Sequence, residues 1–148
     1  KMYTRLFDLE TVRFRYFNVY GERAPSKGPY APVTGVFFRQ KSNKEPMTVV
    51  GTGERRRDYI HVSDIVQANI LAATCEDKRC VGELFNLGYG VNHSVLDLVK
   101  MIGGPFVNVE DREGEADVTL ADNNKAKDIL KWEPRIRIEE WIHNNKPV

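Results

Sequence analysis

The sequence predicts a mixed α/β fold. Short runs of β-branched and aromatic residues, which suit strands, alternate with segments whose apolar residues recur at helical spacing. The chain contains no internal repeat. Its 148 residues are enough for a hydrophobic core, and its 41% hydrophobic and 29% charged residues are ordinary for a globular protein.

The first two elements are predicted to be a helix and a strand. Lys1–Leu9 carries apolar residues at helical spacing, and Thr11–Gly21 is a β-branched and aromatic run with alternating faces. A helix that leads directly into a strand is typical of the second half of a βαβ unit. Such a strand needs neighbours in a parallel sheet. Because nothing like a domain start precedes the strand, we expect the chain to be a piece of a larger protein.

The remaining elements follow from the same patterns. Gly21–Pro32 is rich in glycine, proline and charge and is predicted to be a loop. Ser94 is expected to cap one helix, and Ser63 or Asp64 another. Further helices are predicted at Val33–Lys41, Ser63–Thr74, Val95–Ile102, Asn123–Leu130 and Ile138–Asn144. Further strands are predicted at Met47–Val50, Asp58–Val62, Leu84–Leu87 and Phe106–Val109.

Charge and cysteine content argue against several classes of function. Lys and Arg number 22 against 21 Asp and Glu, which leaves no basic field for nucleic acid, so any anion site has to be local. No apolar run approaches the length of a membrane span. Cys75 and Cys80 suggest free thiols in a reducing, cytoplasmic setting. His61, His93 and His143 lack metal-ligand spacing, so we expect no metal.

The stretch Gly51–Asp64 carries the clearest chemical signal. A two-glycine turn and three consecutive arginines precede a short strand and the start of a helix. Guanidinium groups match phosphate oxygens two at a time, so the stretch predicts an anion site between a turn and a rigid element. The alternative is a charged surface turn whose arginines are solvated. The residues of this stretch leave both interpretations open.

Two glycine pairs invite comparison with a dinucleotide-binding fingerprint. They are Gly51-x-Gly53 and Gly88-x-Gly90, and each follows a short strand. Arg56 and His93 stand where the third glycine of the fingerprint would fall. We therefore interpret both pairs as turns.

An ordered set of short motifs runs through almost the whole chain. They are Arg15–Gly21, Gly28–Ala31, Gly51–Gly53, Arg57–Asp64, Glu83–Gly88, Arg112–Glu115, Leu120–Asp122, Lys125–Ala126 and Trp132–Pro134. The set resembles the C-terminal part of the NAD-dependent epimerases and dehydratases. These extended short-chain dehydrogenases act on nucleotide sugars, and UDP-glucose 4-epimerase is the best known. The resemblance implies that residues 1–21 are the remnant of a Rossmann-type cofactor domain, with the last strand–helix pieces of its parallel sheet, and that residues 22–148 form a mixed α/β nucleotide-sugar substrate-binding domain.

The resemblance also implies a substrate site. Arg57 and Arg112, from separate loops, would pair with the diphosphate or the nucleotide of the substrate, and Asn18 would contact the nucleotide sugar. Glu115 would face the ribose or the edge of the base. The base would be lined by Thr48, Val49 and Val50. The sugar–phosphate region would be lined by Pro32 and Val33.

Four other polar residues of the central stretch are given structural roles. Arg55 and Arg56 have no counterpart in the resemblance and are expected to be solvated. Asp64 is assigned to helix capping and His61 to packing.

The resemblance implies NAD as cofactor, with Tyr16 and Phe17 walling the nicotinamide, since aromatic faces suit a flat ring. The alternative for both residues is core packing. The glycine-rich fingerprint of the family is absent from this sequence. In the family, the catalytic Tyr-x-x-x-Lys couple lies further upstream of the first strand than the first residue of this chain. NAD is therefore expected to be bound mainly by an N-terminal part, and no catalytic residue is assigned here.

These inferences together predict the substrate-binding part of an NAD-dependent nucleotide-sugar epimerase or dehydratase that acts on a UDP-type sugar. The part is expected to be inactive alone, and its parent enzyme to be a homodimer. The alternative is a non-catalytic nucleotide-sugar-binding module. Thr119 stands where epimerases of the galactose type often carry an aromatic residue, so the sugar itself is not predicted.

Overall fold

The structure is a computed structural model that describes all 148 residues. Its helices are α1 (Met2–Phe7), α2 (Val33–Ser42), α3 (Val62–Ala73), α4 (Val95–Ile102), α5 (Asn124–Leu130) and α6 (Ile138–Asn145). Its strands are β1 (Arg13–Tyr16), β2 (Asn18–Tyr20), β3 (Met47–Val50), β4 (Arg56–His61), β5 (Leu84–Leu87), β6 (Asn92–Ser94) and β7 (Phe106–Val109). None of the helices has the length and hydropathy needed to span a membrane. The predicted mixed α/β class is confirmed.

The strands form three small sheets in which parallel pairing dominates. β1 pairs with β5 and β3 with β7, both in parallel, while β2 lies parallel to β4. β6 pairs with β4 in the antiparallel sense. The first strand thus finds a parallel neighbour within this chain, and the division of the chain at residue 21 stays a prediction.

Two hydrophobic cores lie on either side of β4. Tyr59 joins the core formed mainly by α2, β3, α4 and α6, and the next residue, Ile60, joins the core formed mainly by α3, β5 and α5. Successive side chains of a strand point to opposite faces, so one strand serves both cores. α1 contributes to neither core, because none of its residues is buried. β4 is therefore the central element of the fold.

The predicted strand Thr11–Gly21 is interrupted at Phe17, because the chain changes its pairing partner there. The amide of Phe17 still donates to Leu87 O, at 3.0 Å, whereas Asn18 is already paired with Tyr59 of β4. β6 was not predicted, since its three polar residues carry no apolar alternation. The partner switch places Asn18, the first residue of β2, beside Tyr59 and thus close to the arginine stretch.

The start of α3 differs from the sequence expectation. His61 is the N-cap, and its Nδ1 accepts a hydrogen bond from the amide of Ser63 at 3.2 Å. Asp64, which was expected to cap, is buried in the first turn, and its Oδ2 accepts from the amides of Arg135 and Ile136 at 3.1 and 3.2 Å. The carboxylate therefore fixes the segment between α5 and α6 rather than the end of its own helix.

The predicted cap of α4 is confirmed. Ser94 Oγ accepts from the amide of Asp97 at 3.0 Å, and the Asp97 carboxylate accepts from the amide of Ser94 at 2.9 Å. This reciprocal pair is a capping box, which satisfies donors that a helix end otherwise leaves free.

Ser94→Ala is expected to lower the free energy of unfolding by about 1 kcal/mol, because an amide at the helix start loses its acceptor. Urea denaturation followed by circular dichroism measures the change. Ser63→Ala is the matched control, since His61 and not Ser63 caps α3. Equal losses in the two variants would contradict this assignment of the caps.

Asp58 connects three separate parts of the chain. Its carboxylate is fully buried and accepts from the amides of Tyr89, Gly90 and Ala121 at 2.6, 2.9 and 3.0 Å. Burial raises the pKa of this carboxyl, against the lowering effect of the three N–H donors. Gly88 lies close by, where an added Cβ would meet Ala121 at 2.5 Å and Asp58 Oδ2 at 2.8 Å. The second glycine pair is therefore a turn that folds around this carboxylate, as predicted.

Candidate functional site

A cavity of about 670 Å³ opens beside the end of β2. Its walls come mainly from five segments: β2 with the following loop, the start of α2, β3, the Arg55–Tyr59 stretch and the loop Glu110–Asp117. The starts of α3 and α4 add one residue each, Val62 and Val95. Ligands of parallel α/β folds bind outside the carboxyl ends of the strands, and β2 and β4 are a parallel pair. The volume is in the range of sites that hold small molecules.

β3 lines the cavity with every second residue. Thr48 and Val50 face it, whereas Val49 is fully buried in the first core. The expectation that Val49 would line the site is therefore wrong as a matter of geometry. The alternation of a strand sends neighbouring side chains to opposite faces, so three consecutive residues cannot share one wall.

Asn18 and Arg57 both line the cavity from neighbouring strands. The side-chain amide of Asn18 donates to Asp58 O at 2.9 Å, which holds it against β4. Arg57 donates to Arg56 O at 3.0 Å, and its guanidinium lies 3.2 Å from Glu115 Oε2. Only 17% of the Arg57 side chain is exposed, so its charge is partly desolvated and directed towards the cavity.

Arg55 is not a solvated side chain, contrary to the sequence expectation. It lines the cavity and makes a two-point ion pair with Asp111, one arm of which measures 3.1 Å. The amide of Arg112 and this guanidinium both lower the pKa of the Asp111 carboxyl. Arg56 does point elsewhere, but it is also paired, with Asn92 and with Asp97 of the α4 cap.

Three arginines surround the carboxylate of Glu115. Arg57 lies 3.2 Å away, Arg112 3.7 Å and Arg55 4.0 Å. Arg112 and Glu115 line the cavity together with Arg55 and Arg57. The structure therefore gathers three guanidinium groups from two separate segments at one cavity, and the binding role of Arg57 and Arg112 stays a prediction.

The start of α2 also lies at the cavity. Pro32 and Val33 line it, and the N-cap position, which Pro32 occupies, provides no side-chain hydrogen bond. No acidic residue stands in the first turn of this ten-residue helix. The helix start thus presents free N–H groups and the positive end of its dipole.

Tyr16 and Phe17 lie outside this cavity. The Tyr16 hydroxyl is paired with the side chain of Asn69, and 47% of the residue is exposed. Phe17 packs against the second core. Their contact with a nicotinamide stays a prediction.

The loop after β2 supplies a cavity residue that sequence reasoning missed. Glu22 lines the cavity, and its carboxylate accepts from Trp141 Nε1 at 2.8 Å, which lowers its pKa and ties the loop to α6. Glu22 also lies 3.4 Å from Nε2 of the buried His61, although the geometry does not make a hydrogen bond. The glycine and proline content of the loop predicted its conformation but carried no signal for this contact.

The chemistry that the cavity offers is anion binding beside an apolar wall. Guanidinium groups, the start of α2 and an amide provide hydrogen-bond donors, and valine, proline and tyrosine side chains provide the apolar surface. No cluster of three or more His, Cys, Asp or Glu side chains is placed to hold a metal ion. These groups can grip a phosphorylated ligand that also has a flat or apolar part.

The family model described as GDP-mannose 4,6 dehydratase matches residues 1–145, which is nearly the whole chain. The chain belongs to this family. Its resemblance to the NAD-dependent epimerases and dehydratases is thereby confirmed.

Relatives within the family agree in sequence and in fold. The chain is 30% identical, over 95% of its length, to a UDP-glucose 4-epimerase of Mycolicibacterium smegmatis. It superposes with a TM-score of 0.87 and 33% identity on the UDP-glucose 4-epimerase of Thermotoga maritima, solved with UDP-glucose, and covers 96% of its own residues in that match. The UDP-glucuronic acid 4-epimerase of Bacillus cereus, solved with UDP-glucuronic acid and NAD, matches over 95% of the chain with a TM-score of 0.85 and 26% identity.

The chain spans about half the length of these family members, namely 46% of the first, 46% of the second and 45% of the third. The fold prediction of a mixed α/β region from a Rossmann-type enzyme is confirmed by the structural matches.

Proposed function

We propose that this chain is the substrate-binding part of an NAD-dependent nucleotide-sugar epimerase or dehydratase. Its role is to hold the nucleotide diphosphate of a UDP-type sugar, so that the sugar is presented to the cofactor. The observation that carries the proposal is the convergence of Arg55, Arg57 and Arg112 in one partly apolar cavity. Similar proteins of this family were solved with UDP-glucose and with UDP-glucuronic acid.

The diphosphate is assigned to Arg57 and Arg112. A guanidinium offers paired N–H donors in one plane, which match two phosphate oxygens, and two arginines balance the charge of a diphosphate. The start of α2, at Pro32 and Val33, adds backbone N–H groups and a positive dipole end beside them. Arg57 and the start of α2 belong to regular elements, so these two groups are already in place when the ligand binds.

The remaining parts of the ligand are assigned to the other walls. Thr48 and Val50 would contact the base, Glu115 the ribose or the base edge, and Asn18 the sugar. The side-chain amide of Asn18 donates to Asp58 O, which fixes its direction at the start of β2. Contacts to the nucleotide, although remote from the reacting atoms, favour the reaction because they hold the sugar in one orientation.

NAD, when bound by the whole protein, supplies the hydride acceptor for the sugar. In this chain only Tyr16 and Phe17 are assigned to it. Neither glycine pair forms a dinucleotide fingerprint, since Asp58 and Ala121 fill the space at one, and Val49 and Leu96 fill it at the other. We therefore assign most of the NAD site, and the catalytic residues, to a part of the protein outside this chain. A homodimeric parent enzyme stays a prediction.

The isolated chain is expected to bind UDP-glucose or UDP-glucuronic acid without turning either of them over. Isothermal titration calorimetry measures binding, with GDP- and dTDP-sugars in parallel to identify the base and free glucose as the control ligand. A coupled assay measures epimerisation. Binding of glucose alone, tight binding of NAD, or measurable epimerisation would contradict the proposal. Failure of every nucleotide sugar to bind would also contradict it.

A further inference from the structure

Glu115 lies beside the two arginines to which the ligand diphosphate is assigned. Its Oε2 lies 3.2 Å from Arg57, and its Oε1 lies 3.7 Å from Arg112. It is the only carboxylate within 4.0 Å of either guanidinium. The two arginines assigned to the diphosphate are therefore the two that depend on this one internal carboxylate.

Arg55 is held differently. It is paired with Asp111 at two points and lies 3.7 Å from Asp117, so it keeps acidic partners without Glu115. It also donates to Arg112 O at 3.3 Å. Arg55 thus anchors the loop Glu110–Asp117 to the rest of the cavity wall, whereas Glu115 contributes a contact that can be broken without releasing the loop.

The surroundings of Glu115 allow its side chain to move. Its side chain is 38% exposed, and the preceding residue, Gly114, has φ +80° with no atom within 4 Å of an added Cβ. The base of the loop is fixed a second time by Asn108, whose amide donates to Gly51 O at 2.6 Å. A rotation of the Glu115 side chain is therefore a local change, with the loop still attached at Asp111 and Asn108.

We propose that Glu115 acts as an internal competitor for the phosphate site. In the free protein its carboxylate neutralises Arg57 and Arg112, and an incoming diphosphate displaces it. This inference rests on the proposed function, because it takes the assignment of the diphosphate to Arg57 and Arg112 as its starting point. The consequence is selectivity among anions. To bind, an anion has to interact with the two arginines more strongly than the Glu115 carboxylate does, which a diphosphate does and a weak, singly charged anion does not.

The test compares Glu115→Gln with the wild-type chain, using inorganic pyrophosphate as the probe in calorimetric titrations. Glutamine keeps the size of the side chain and removes its charge. Pyrophosphate affinity is expected to rise roughly threefold to fivefold, the scale of one exposed ion pair. The gain is expected to be smaller for UDP-glucose, because Glu115 is also assigned to the ribose or the base edge.

Glu113→Gln is the matched control. It removes the same charge from the same loop, but Glu113 makes no ion pair, so its pyrophosphate affinity should stay within about 1.5-fold of wild type. Equal gains in the two variants would show only a general field effect and would overturn the inference, as would an unchanged or weaker affinity in Glu115→Gln. If wild type binds UDP-glucose and either of these results is found, only the inference fails. If no variant binds UDP-glucose or pyrophosphate, the proposed function fails as well.

Discussion

Asp58→Ala is expected to lower the free energy of unfolding by about 3–4 kcal/mol, on the scale of leaving several buried donors without an acceptor. The substitution removes the acceptor of three backbone amides, those of Tyr89, Gly90 and Ala121. Because the carboxylate is fully buried, water does not replace it without opening the turn at Gly88. Urea denaturation of the purified chain measures the loss.

Asp58→Asn separates hydrogen bonding from packing. Oδ2 accepts two of the three bonds and Oδ1 accepts one, so an amide in either orientation points its NH₂ group at an N–H donor. The asparagine variant, although nearly the same size, is therefore expected to lose most of what the alanine variant loses. Glu113→Ala, an exposed carboxylate with no ion pair, should leave stability within about 0.5 kcal/mol. A stable asparagine variant would show that shape rather than hydrogen bonding makes Asp58 important.

Arg57→Ala is expected to weaken the binding of a nucleotide sugar by about 1.5–3 kcal/mol, the scale of a hydrogen bond to a charged group. In terms of Kd this is roughly a tenfold to hundredfold loss. The physical reason is that Arg57 is only 17% exposed, so the phosphate would lose a partly desolvated partner that water does not replace equally well. Calorimetry with UDP-glucose measures the change.

Arg56→Ala is the control for this experiment. It removes the same charge from the adjacent residue, but Arg56 is bound to Asn92 and Asp97 on the other side of β4. It is expected to cost stability through the α4 cap while the Kd of the folded fraction changes less than about twofold. Equal losses of affinity in the two variants would mean that the arginine run acts as a diffuse charge and not through one guanidinium.

The order of the elements was predictable because each depends on local patterns. The capping box at Ser94 and Asp97 lies within four residues, and the alternation of Met47–Val50 is visible in the sequence. The same alternation could have excluded Val49 from the cavity, since Thr48 and Val50 share the opposite face. The error arose because the family resemblance assigned three consecutive residues to the site, whereas only every second side chain of a strand faces the same side.

Other features depend on contacts between residues far apart in sequence, for which the sequence shows no pattern. Arg55 was expected to be solvated because it has no counterpart in the family resemblance, and its partner Asp111, 56 residues away, leaves no local pattern. The role of Asp58 was not predicted, since its partners are backbone amides that have no side-chain signature. Glu22 finds Trp141 at a separation of 119 residues. The resemblance to a family supplied the site residues, and only the three-dimensional arrangement supplied what holds them.

The parallel pairing of the strands has a consequence for how the chain folds. β1 must wait for β5 and β3 for β7, with whole helices lying between the partners in sequence. The Tyr20 hydroxyl meets Ile136 O across 116 residues. Non-local pairings of this kind slow folding, because the entropy of closing long loops opposes them before any contact is gained. β3 in particular has no strand partner until β7, in the last third of the chain, has been synthesised, so its hydrogen-bonding edge stays open to other molecules for that time.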